Sequence, residues 1–270
     1  MTDAVDSAAL DLAAYLDRIG YSGDLAPSRA TLNALHLAHA TAIPFENLDI
    51  LLGQPIRLDL ASLQSKLVFR GRGGYCFEHN ALFASALERV GFTVTRLAAR
   101  VRSGTERVLP RTHMILRVDV DGARLLADVG FGADGLLLPV PIDGSRSQQF
   151  AWSYRVIDDV GTDVLQSRRG DAWDDLYEFT HEPQLPVDYE IANHYTSTHP
   201  ASRFTQRLTA QRLARDVRWT LRDGELIEDR GATTRTRVIK NDEELLQVLA
   251  DVFGLGFPAA TRFVPPHAAS

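Results

Sequence analysis

The sequence predicts an α+β protein with a helical first third, a central antiparallel β region and a mixed C-terminal segment. Up to about residue 91, apolar side chains recur at the spacing of amphipathic helices. From Phe92 the pattern changes to an alternation rich in β-branched residues, which is typical of half-buried strands. A hydrophobic share of 45% in 270 residues is ordinary for a globular protein with a buried core. We therefore expect three domains, at residues 1–93, 94–203 and 204–270.

Residues typical of helix starts and helix ends occur along the first third of the chain. Ser28 has the side chain of an N-cap, and Gly91 has the position of a C-terminal stop. Pro44 disfavours a helical conformation for the residue before it, so the second helix must end there. The predicted helices cover residues 10–19, 28–41, 60–69 and 77–90.

Strand-like alternation dominates the central region. The dipeptide Asp121-Gly122 suits a two-residue type I′ turn and predicts a β-hairpin. A second hairpin is expected around Asp223-Gly224, followed by an amphipathic helix over residues 242–253. The predicted central strands cover residues 92–101, 113–120, 123–131, 152–158 and 163–168.

Charge and composition exclude several classes of function. The formal net charge is −6 and no basic stripe is present, so nucleic acid is a poor partner. No apolar run reaches the roughly 20 residues needed to span a bilayer, and residues 1–16 are acidic without a basic stretch before their apolar part. These observations predict a cytoplasmic protein that acts on a small organic molecule, away from membranes. One cysteine allows no internal disulfide and no cysteine-based metal cluster, and we expect no metal.

The single cysteine, Cys76, has neighbours that favour reactivity. A lone cysteine is most often a small buried apolar residue without chemistry. Here a glycine-rich turn over residues 71–75 precedes it, and the helix predicted at 77–90 begins just after it. Unpaired backbone N–H groups at a helix N-terminus stabilise a thiolate, as does a nearby imidazolium. The sequence thus predicts a nucleophilic cysteine, provided that a histidine lies close to it.

Several histidines compete for the role of base. His36 and His39 share one helix face without further metal ligands, so we expect them to pack at a surface or interface. His79 lies three residues after Cys76 on the same helix and is an alternative base. The remaining candidates lie in loop-like sequence: His181, His194, His199 and His267.

His113 is favoured by the geometry of the first hairpin. If Val120 pairs with Ala123, Asp128 lies diagonally across from His113 on the same face, at about 7–8 Å between backbones. The facing charges of Asp119 and Arg124 support this register. A carboxylate at position 128 can hold the Nδ1–H of the imidazole, and a half-buried carboxylate in an apolar run needs such a partner. We therefore predict Cys76, His113 and Asp128 as a catalytic triad.

Six blocks of the sequence together resemble the arylamine N-acetyltransferases. They occur in the order found in that family and span nearly the whole chain. The blocks are PFENLDI (44–50), RGGYCFEHN (72–80), Thr112-His113, DVGFG (128–132), YEFTHEPQ (177–184) and NHYTSTHPASRF (193–204).

The resemblance implies a fold, an activity and a set of site residues. The fold is an N-terminal helical bundle, a central β-barrel-like domain and a C-terminal α/β lid around a cysteine-protease-like core. The activity is ping-pong transfer of an acetyl group from acetyl-coenzyme A (acetyl-CoA), through Cys76, to an arylamine or arylhydrazine in xenobiotic metabolism. The implied positions are Cys76, His113 and Asp128 for the triad, Thr112, Gly130, Phe131 and Gly132 for coenzyme A and the acyl group, and Phe45, Phe131 and Phe204 for the acceptor.

Other activities suit the same three residues. An amide synthase that closes a macrolactam would share most of these motifs, and a transglutaminase-like thiol hydrolase would share the triad geometry. A redox-sensing thiol in a binding protein is a non-enzymatic alternative. Arg72 and Glu46 are expected to form an ion pair of structural importance only.

Overall fold

The computed structural model describes residues 9–102, 107–132 and 134–266, so the acidic residues 1–8 and His267 lie outside it. Helices gather in the N-terminal third, as predicted, with others after the central sheet. Ser28 caps the second helix by accepting a hydrogen bond from the N–H of Thr31 at 3.2 Å, and Gly91 ends the fifth in a left-handed conformation. The helices are α1 (Leu12–Ile19), α2 (Arg29–Ala42), α3 (Leu48–Leu51), α4 (Leu60–Leu63), α5 (Cys76–Val90), α6 (Pro186–Thr198), α7 (Arg203–Gln206) and α8 (Asp242–Asp251).

One helix prediction was confirmed in its bounds and another was wrong. The chain is helical over residues 60–69 as predicted, with α4 continued by a π-helical segment, Gln64–Phe69. His194 is not in a loop but on α6, which begins with Pro186 at its first turn. The sequence of α6 contains few apolar residues at helical spacing, because much of its surface faces solvent.

Within the described residues, a larger sheet of eight antiparallel strands forms the centre of the molecule. Its order is β5-β4-β3-β2-β9-β8-β7-β6, and β5 also contacts β7, so the sheet curls almost into a barrel. The strands are β2 (Thr93–Val101), β3 (His113–Val120), β4 (Ala123–Ala127), β5 (Val140–Pro141), β6 (Ser147–Gln149), β7 (Trp152–Asp159), β8 (Thr162–Arg169) and β9 (Ala172–Phe179). The alternation in the sequence did not predict β9.

The predicted hairpin forms in the expected register. Val120 pairs with Ala123 and Asp119 with Arg124. Asp121 and Gly122 both have positive φ angles, of 52° and 75°, as a type I′ turn requires. This register places the end of β4 beside the start of β3.

A smaller antiparallel sheet lies at the C-terminal end of the chain. Its order is β1-β10-β11-β12-β13, so a strand from the first third completes it. The pairing of Arg222 with Glu225 confirms the second predicted hairpin, and α8 packs its buried residues against this sheet. The strands are β1 (Phe45–Glu46), β10 (Thr209–Leu213), β11 (Arg218–Arg222), β12 (Glu225–Asp229) and β13 (Thr234–Val238).

One continuous apolar core joins the helical region to the barrel-like sheet. The predicted α+β class is confirmed, with helices first, a barrel-like sheet next and a sheet with a helix last. The domain boundaries at residues 93 and 203 stay a prediction. In the described part of the chain, no helix combines the length and apolarity that crossing a membrane requires.

Candidate active site

Cys76 is the first residue of α5, at the place that the glycine-rich turn predicted. The Glu78 side chain fixes the start of the helix, since its Oε2 accepts a hydrogen bond from the N–H of Tyr75 at 3.0 Å. The thiol is 4% exposed, and its Sγ lies 3.7 Å from the carbonyl oxygen of Thr112. The only cysteine of the chain thus sits at a helix N-terminus against the strand that carries His113.

His113 and Asp128 are in direct contact, as the hairpin register predicted. The two residues stand at the start of β3 and just after β4, and the His113 Nε2 lies 2.7 Å from Asp128 Oδ2. The predicted nitrogen was wrong, because Nε2 and not Nδ1 points at the carboxylate. Because Nε2 is held by the carboxylate, Nδ1 is the ring nitrogen left for the Cys76 thiol, which also helps to raise the pKa of His113.

Four donors surround the Asp128 carboxylate, which is fully buried. Besides His113, the Tyr177 hydroxyl donates to Oδ2 at 2.9 Å. The Asn80 amide and the N–H of Gly130 donate to Oδ1 at 2.9 and 3.0 Å. A buried carboxylate is stable only when its oxygens are satisfied in this way.

The contact shifts both ionisation equilibria toward the charged pair. Burial alone would lower the pKa of His113, but the Asp128 carboxylate and Cys76 outweigh it and raise that pKa to about 10. Burial opposes ionisation of Asp128, yet the His113 cation and the hydrogen bonds hold its pKa below the usual value. The imidazole is therefore able to hold a proton taken from the thiol.

His79, the alternative base, points away from the cysteine. Its Nδ1 lies 3.0 Å from His39 Nε2, and its Nε2 lies 3.2 Å from the carbonyl oxygen of Pro44. Both ring nitrogens are occupied, so neither is left for the Cys76 thiol. The geometry selects His113 as the histidine of this site.

His36 and His39 are fully buried, so the prediction of a surface or interface position was wrong. His36 accepts a hydrogen bond from the N–H of Asp128 at 3.2 Å through Nε2, and its Nδ1 lies 3.1 Å from the carbonyl oxygen of Leu137. Helical spacing showed correctly that the two histidines share a face. It could not show that α1, α5 and the segment after β4 cover that face.

The positions predicted for coenzyme A and the acyl group surround the Cys-His pair. Gly130 packs directly on Cys76, because a Cβ at this glycine would lie 2.8 Å from the Cys76 Cα. The Phe131 ring contacts the His113 ring with 5.1 Å between centroids. Thr112 directs its carbonyl at the thiol.

The predicted acceptor positions form a neighbouring group of rings. Phe45 and Phe204 lie 6.0 Å apart between ring centroids, and Phe204 meets the Tyr75 ring edge-on at 5.6 Å. Gly132 is pressed against Phe45, since a Cβ there would lie 2.3 Å from the ring. The structure therefore brings all the predicted site positions together around Cys76.

A network of buried charges supports the turn before Cys76. Arg72 is 2.8 Å from both Glu46 and Asp49, which confirms the predicted Arg72–Glu46 ion pair. Lys66 is 2.8 Å from both Asp49 and Glu78. These contacts tie the glycine-rich turn and the first turn of α5 to the segment around α3.

Sequence reasoning assigned no role to Asn80 or Tyr177. Asn80 lies four residues after Cys76 and thus on the same face of α5, and this spacing was the available signal. It joins three chain segments, because its amide also donates to the carbonyl of Met114 at 2.7 Å and its oxygen accepts from the N–H of Val129 at 3.1 Å. Tyr177 lies on the unpredicted strand β9.

In the residues that the structure describes, no three histidine, cysteine, aspartate or glutamate side chains are grouped to hold a metal ion. The chemistry available is that of a thiol beside an imidazole held by a carboxylate. Such a group can form a thiolate and attack an acyl carbon.

Comparison with known proteins decides the family. The sequence profile of the N-acetyltransferase family matches residues 28–262. The arylamine N-acetyltransferase of Mycobacterium tuberculosis is 40% identical over 254 residues, which are 92% of this chain and 90% of that protein. The chain belongs to the arylamine N-acetyltransferase family.

Solved structures of family members have the same fold. The crystal structure of the Nocardia farcinica arylamine N-acetyltransferase matches with a TM-score of 0.86 at 42% identity, over 92% of this chain and 90% of that one. The Mycobacterium marinum arylamine N-acetyltransferase, solved in complex with CoA, matches with a TM-score of 0.85 at 38% identity, over 90% of this chain and 92% of that one. The family resemblance and the implied cysteine-protease-like fold are confirmed.

Proposed function

We propose that the protein transfers an acetyl group from acetyl-CoA to an arylamine or arylhydrazine, with Cys76 carrying the acetyl group between two half-reactions. The observation that carries the proposal is the His113 imidazole, which is held by Asp128 at Nε2 and interacts with Cys76, so that Nδ1 is left for the thiol. Family membership supports the donor and the acceptor, and the M. marinum relative was solved with CoA. A cytoplasmic location and a role with xenobiotic amines belong to the same proposal.

In the first half-reaction, His113 Nδ1 accepts the thiol proton and the Cys76 thiolate attacks the thioester carbonyl. The carbon–sulfur bond to coenzyme A then breaks, and the departing thiolate takes the proton from His113. The product is acetyl-Cys76. The backbone N–H of Cys76 is a candidate donor to the oxyanion, since the first N–H groups of a helix have no partner within it.

In the second half-reaction, the amine nitrogen attacks acetyl-Cys76. Its proton passes to His113 Nδ1, and Cys76 leaves as a thiolate that is reprotonated for the next cycle. Aromatic amines are weak bases and stay unprotonated near pH 7, so they need only modest help from His113. Asp128 keeps its negative charge throughout and orients the ring.

In this proposal, the remaining predicted positions line the binding sites of the two substrates. Thr112, Gly130, Phe131 and Gly132 border the entry of coenzyme A and the acyl group. Phe45, Phe131 and Phe204 shape the space for the acceptor. This assignment is supported by the closeness of these residues to Cys76 and to one another.

The test separates the two half-reactions. The purified protein is incubated with acetyl-CoA alone, and we expect one acetyl group on the peptide that contains Cys76. An arylhydrazine is then added, and we expect the label to leave as the N-acetyl product. Cys76→Ala is the control and should take up no label.

Other results would select other functions. Labelling only by a carrier-protein thioester would indicate an amide synthase. Turnover of a glutamine amide without coenzyme A would indicate a transglutaminase-like hydrolase. Absence of any acyl-enzyme would contradict acyl transfer through Cys76.

A further inference from the structure

Three fully buried side chains that the proposed mechanism does not use form one hydrogen-bonded chain. The Tyr15 hydroxyl lies 2.8 Å from His39 Nδ1, and His39 Nε2 lies 3.0 Å from His79 Nδ1. His79 Nε2 lies 3.2 Å from the carbonyl oxygen of Pro44. All three side chains have no exposed surface, so the chain runs through the core from α1 across α2 and α5 to the segment before β1.

The direction of every hydrogen bond in this chain is fixed by its last member. The Pro44 carbonyl can only accept, so His79 carries its proton on Nε2 and accepts on Nδ1. His39 must then donate from Nε2 and accept on Nδ1, which makes Tyr15 the donor at the other end. Burial keeps both rings neutral, since it lowers the pKa of His79 to about 4 and that of His39 well below its usual value. The chain therefore has one arrangement and no exchangeable alternative.

The hydrogen-bonded chain ends at a segment, around Pro44, that is tightly packed on several sides. The Pro44 carbonyl is also wedged against Gly73, where a Cβ would lie 2.1 Å from the oxygen. The next residue, Phe45, stacks on the His79 ring with 6.4 Å between centroids and 17° between planes. One edge of the Phe45 ring is pressed against Gly132. His79 therefore fixes both the backbone and the ring of this segment.

Phe45 belongs to a wall of aromatic rings beside the cysteine. The wall consists of Phe45, Phe204 and Tyr75, in contact in that order, and Tyr75 directly precedes Cys76. Rings in tilted and edge-on arrangements suit a planar aromatic ligand that adds one more ring to the set. Phe131 lies on the His113 side of the thiol, where its ring contacts the His113 ring.

We propose that Tyr15, His39 and His79 are positioning residues that set the place of Phe45 and thereby the selectivity for aromatic acceptors. The inference rests on the proposed two-step function. Acetylation of Cys76 depends on the thiol and His113, whereas an aromatic acceptor must also fit against the ring wall. Breaking the chain thus impairs the second half-reaction selectively.

The experiment measures the two half-reactions separately in variants of the hydrogen-bonded chain. His79→Leu removes both ring nitrogens, and His79→Gln keeps one donor and one acceptor as the conservative variant. Tyr15→Phe removes only the terminal hydroxyl and keeps the ring. Each variant is assayed for the rate of Cys76 acetylation by acetyl-CoA, and for kcat/KM with an arylamine and with methylhydrazine, an acceptor without a ring.

For His79→Leu we expect kcat/KM for the arylamine to fall about 10- to 100-fold, mainly through KM, because small displacements of a positioned group have effects of this size. Acetylation of Cys76 and transfer to methylhydrazine should change less than about threefold, well below that range. His79→Gln should recover part of the loss. Tyr15→Phe should show a smaller change in the same direction.

Phe83→Leu is the matched control for loss of core packing. The Phe83 ring is fully buried and contacts the His39 ring at 5.3 Å between centroids, but it makes none of the hydrogen bonds of the chain. It should lower stability while leaving the ratio of arylamine to methylhydrazine transfer unchanged. Chain variants that lose both half-reactions equally, or that keep the wild-type ratio, would overturn the inference. A wild-type protein that forms no acetyl-Cys76 would instead overturn the proposed function.

Discussion

His113 and His79 are both buried histidines with hydrogen-bonded rings, yet their pKa values move in opposite directions. At His79 burial dominates and lowers the pKa to about 4, since its partners are a carbonyl and a neutral imidazole. At His113 burial acts in the same direction, but a carboxylate 2.7 Å away reverses the result and raises the pKa to about 10. The neighbouring carboxylate is thus the reason that His113 can hold a proton, whereas His79 stays neutral and stabilises the structure.

The largest expected effect comes from removing that carboxylate. In Asp128→Asn, burial remains and the compensating charge is lost, so the pKa of His113 should fall below about 6.5, the value of a free histidine. The rate of Cys76 acetylation should fall by about 10⁴-fold, as in catalytic triads that lose their carboxylate. NMR titration of His113 and rapid-quench measurement of acetyl-enzyme check both results. Asp119→Asn, on the same hairpin, is the control, and a rate within tenfold of wild type in Asp128→Asn would contradict the comparison.

The neutral histidines predict a loss of stability in acid. His36 and His79 have pKa values of about 4 in the folded protein, whereas an unfolded histidine has about 6.5. The unfolded chain therefore binds more protons between these values, and the free energy of unfolding falls as the pH drops from about 7 to about 4, by on the order of 3 kcal/mol for each residue. His113 has the opposite sign, because its raised pKa contributes stability below about 6.5 that is lost only as the pH rises toward 10.

Urea unfolding at several pH values tests this sign. His36→Gln and His79→Gln should each flatten the dependence of stability on pH between about 7 and 4. His194→Gln, at an exposed position of α6, is the control and should leave the slope unchanged. A steeper fall in the buried-site variants than in wild type would reverse the assignment of neutral histidines.

Disturbing the docking of the hairpin on α5 is expected to have a smaller effect than removing the Asp128 carboxylate. Gly130→Ala places a methyl group 2.8 Å from the Cys76 Cα and pushes His113 away from the thiol. Acetylation should slow by about 100-fold, while the His113–Asp128 contact within the hairpin persists. Gly256→Ala, where nothing lies within 4 Å of the added methyl, is the control. Unchanged acetylation would show that the close approach is not needed.

The smallest expected effect comes from removing one of the four hydrogen-bond donors to Asp128. Tyr177→Phe leaves three donors in place, so the charge of the carboxylate persists. We expect a loss of about 1.5 kcal/mol in the free energy of unfolding, the lower end for a hydrogen bond to a charged group. Acetylation should slow less than in Gly130→Ala. A loss as large as that of Asp128→Asn would mean that Tyr177 itself takes part in proton transfer.

Local signals in the sequence predicted the parts of the site that local structure builds. The Asp121-Gly122 turn determines the hairpin register, and the register determines that Asp128 reaches His113. The glycine-rich turn similarly predicted Cys76 at the start of a helix. In both cases the relevant residues are close along the chain.

Features that depend on distant contacts were not predicted. The choice of Nε2 over Nδ1 depends on how the His113 ring is turned between Phe131 and Tyr177, which come from other segments. The burial of His36 and His39 depends on what covers their helix face, and periodicity carries no information about that. The helix α6 was missed because tertiary contacts, such as Tyr189 donating to the carbonyl of Leu97 at 3.1 Å, stabilise a segment with a weak pattern of its own.

The hairpin that holds His113 and Asp128 also gives the site an order of assembly. Those two residues are 15 positions apart within one hairpin, a unit that closes on the microsecond timescale. Cys76 is on a helix 36 residues before Thr112 and reaches the hairpin only when a longer loop closes and α5 docks. We therefore expect His113 and Asp128 to pair before Cys76 docks against them. In that order of folding, Cys76 lacks its partner until the tertiary fold is complete, and its reactivity with acyl thioesters would report that completion.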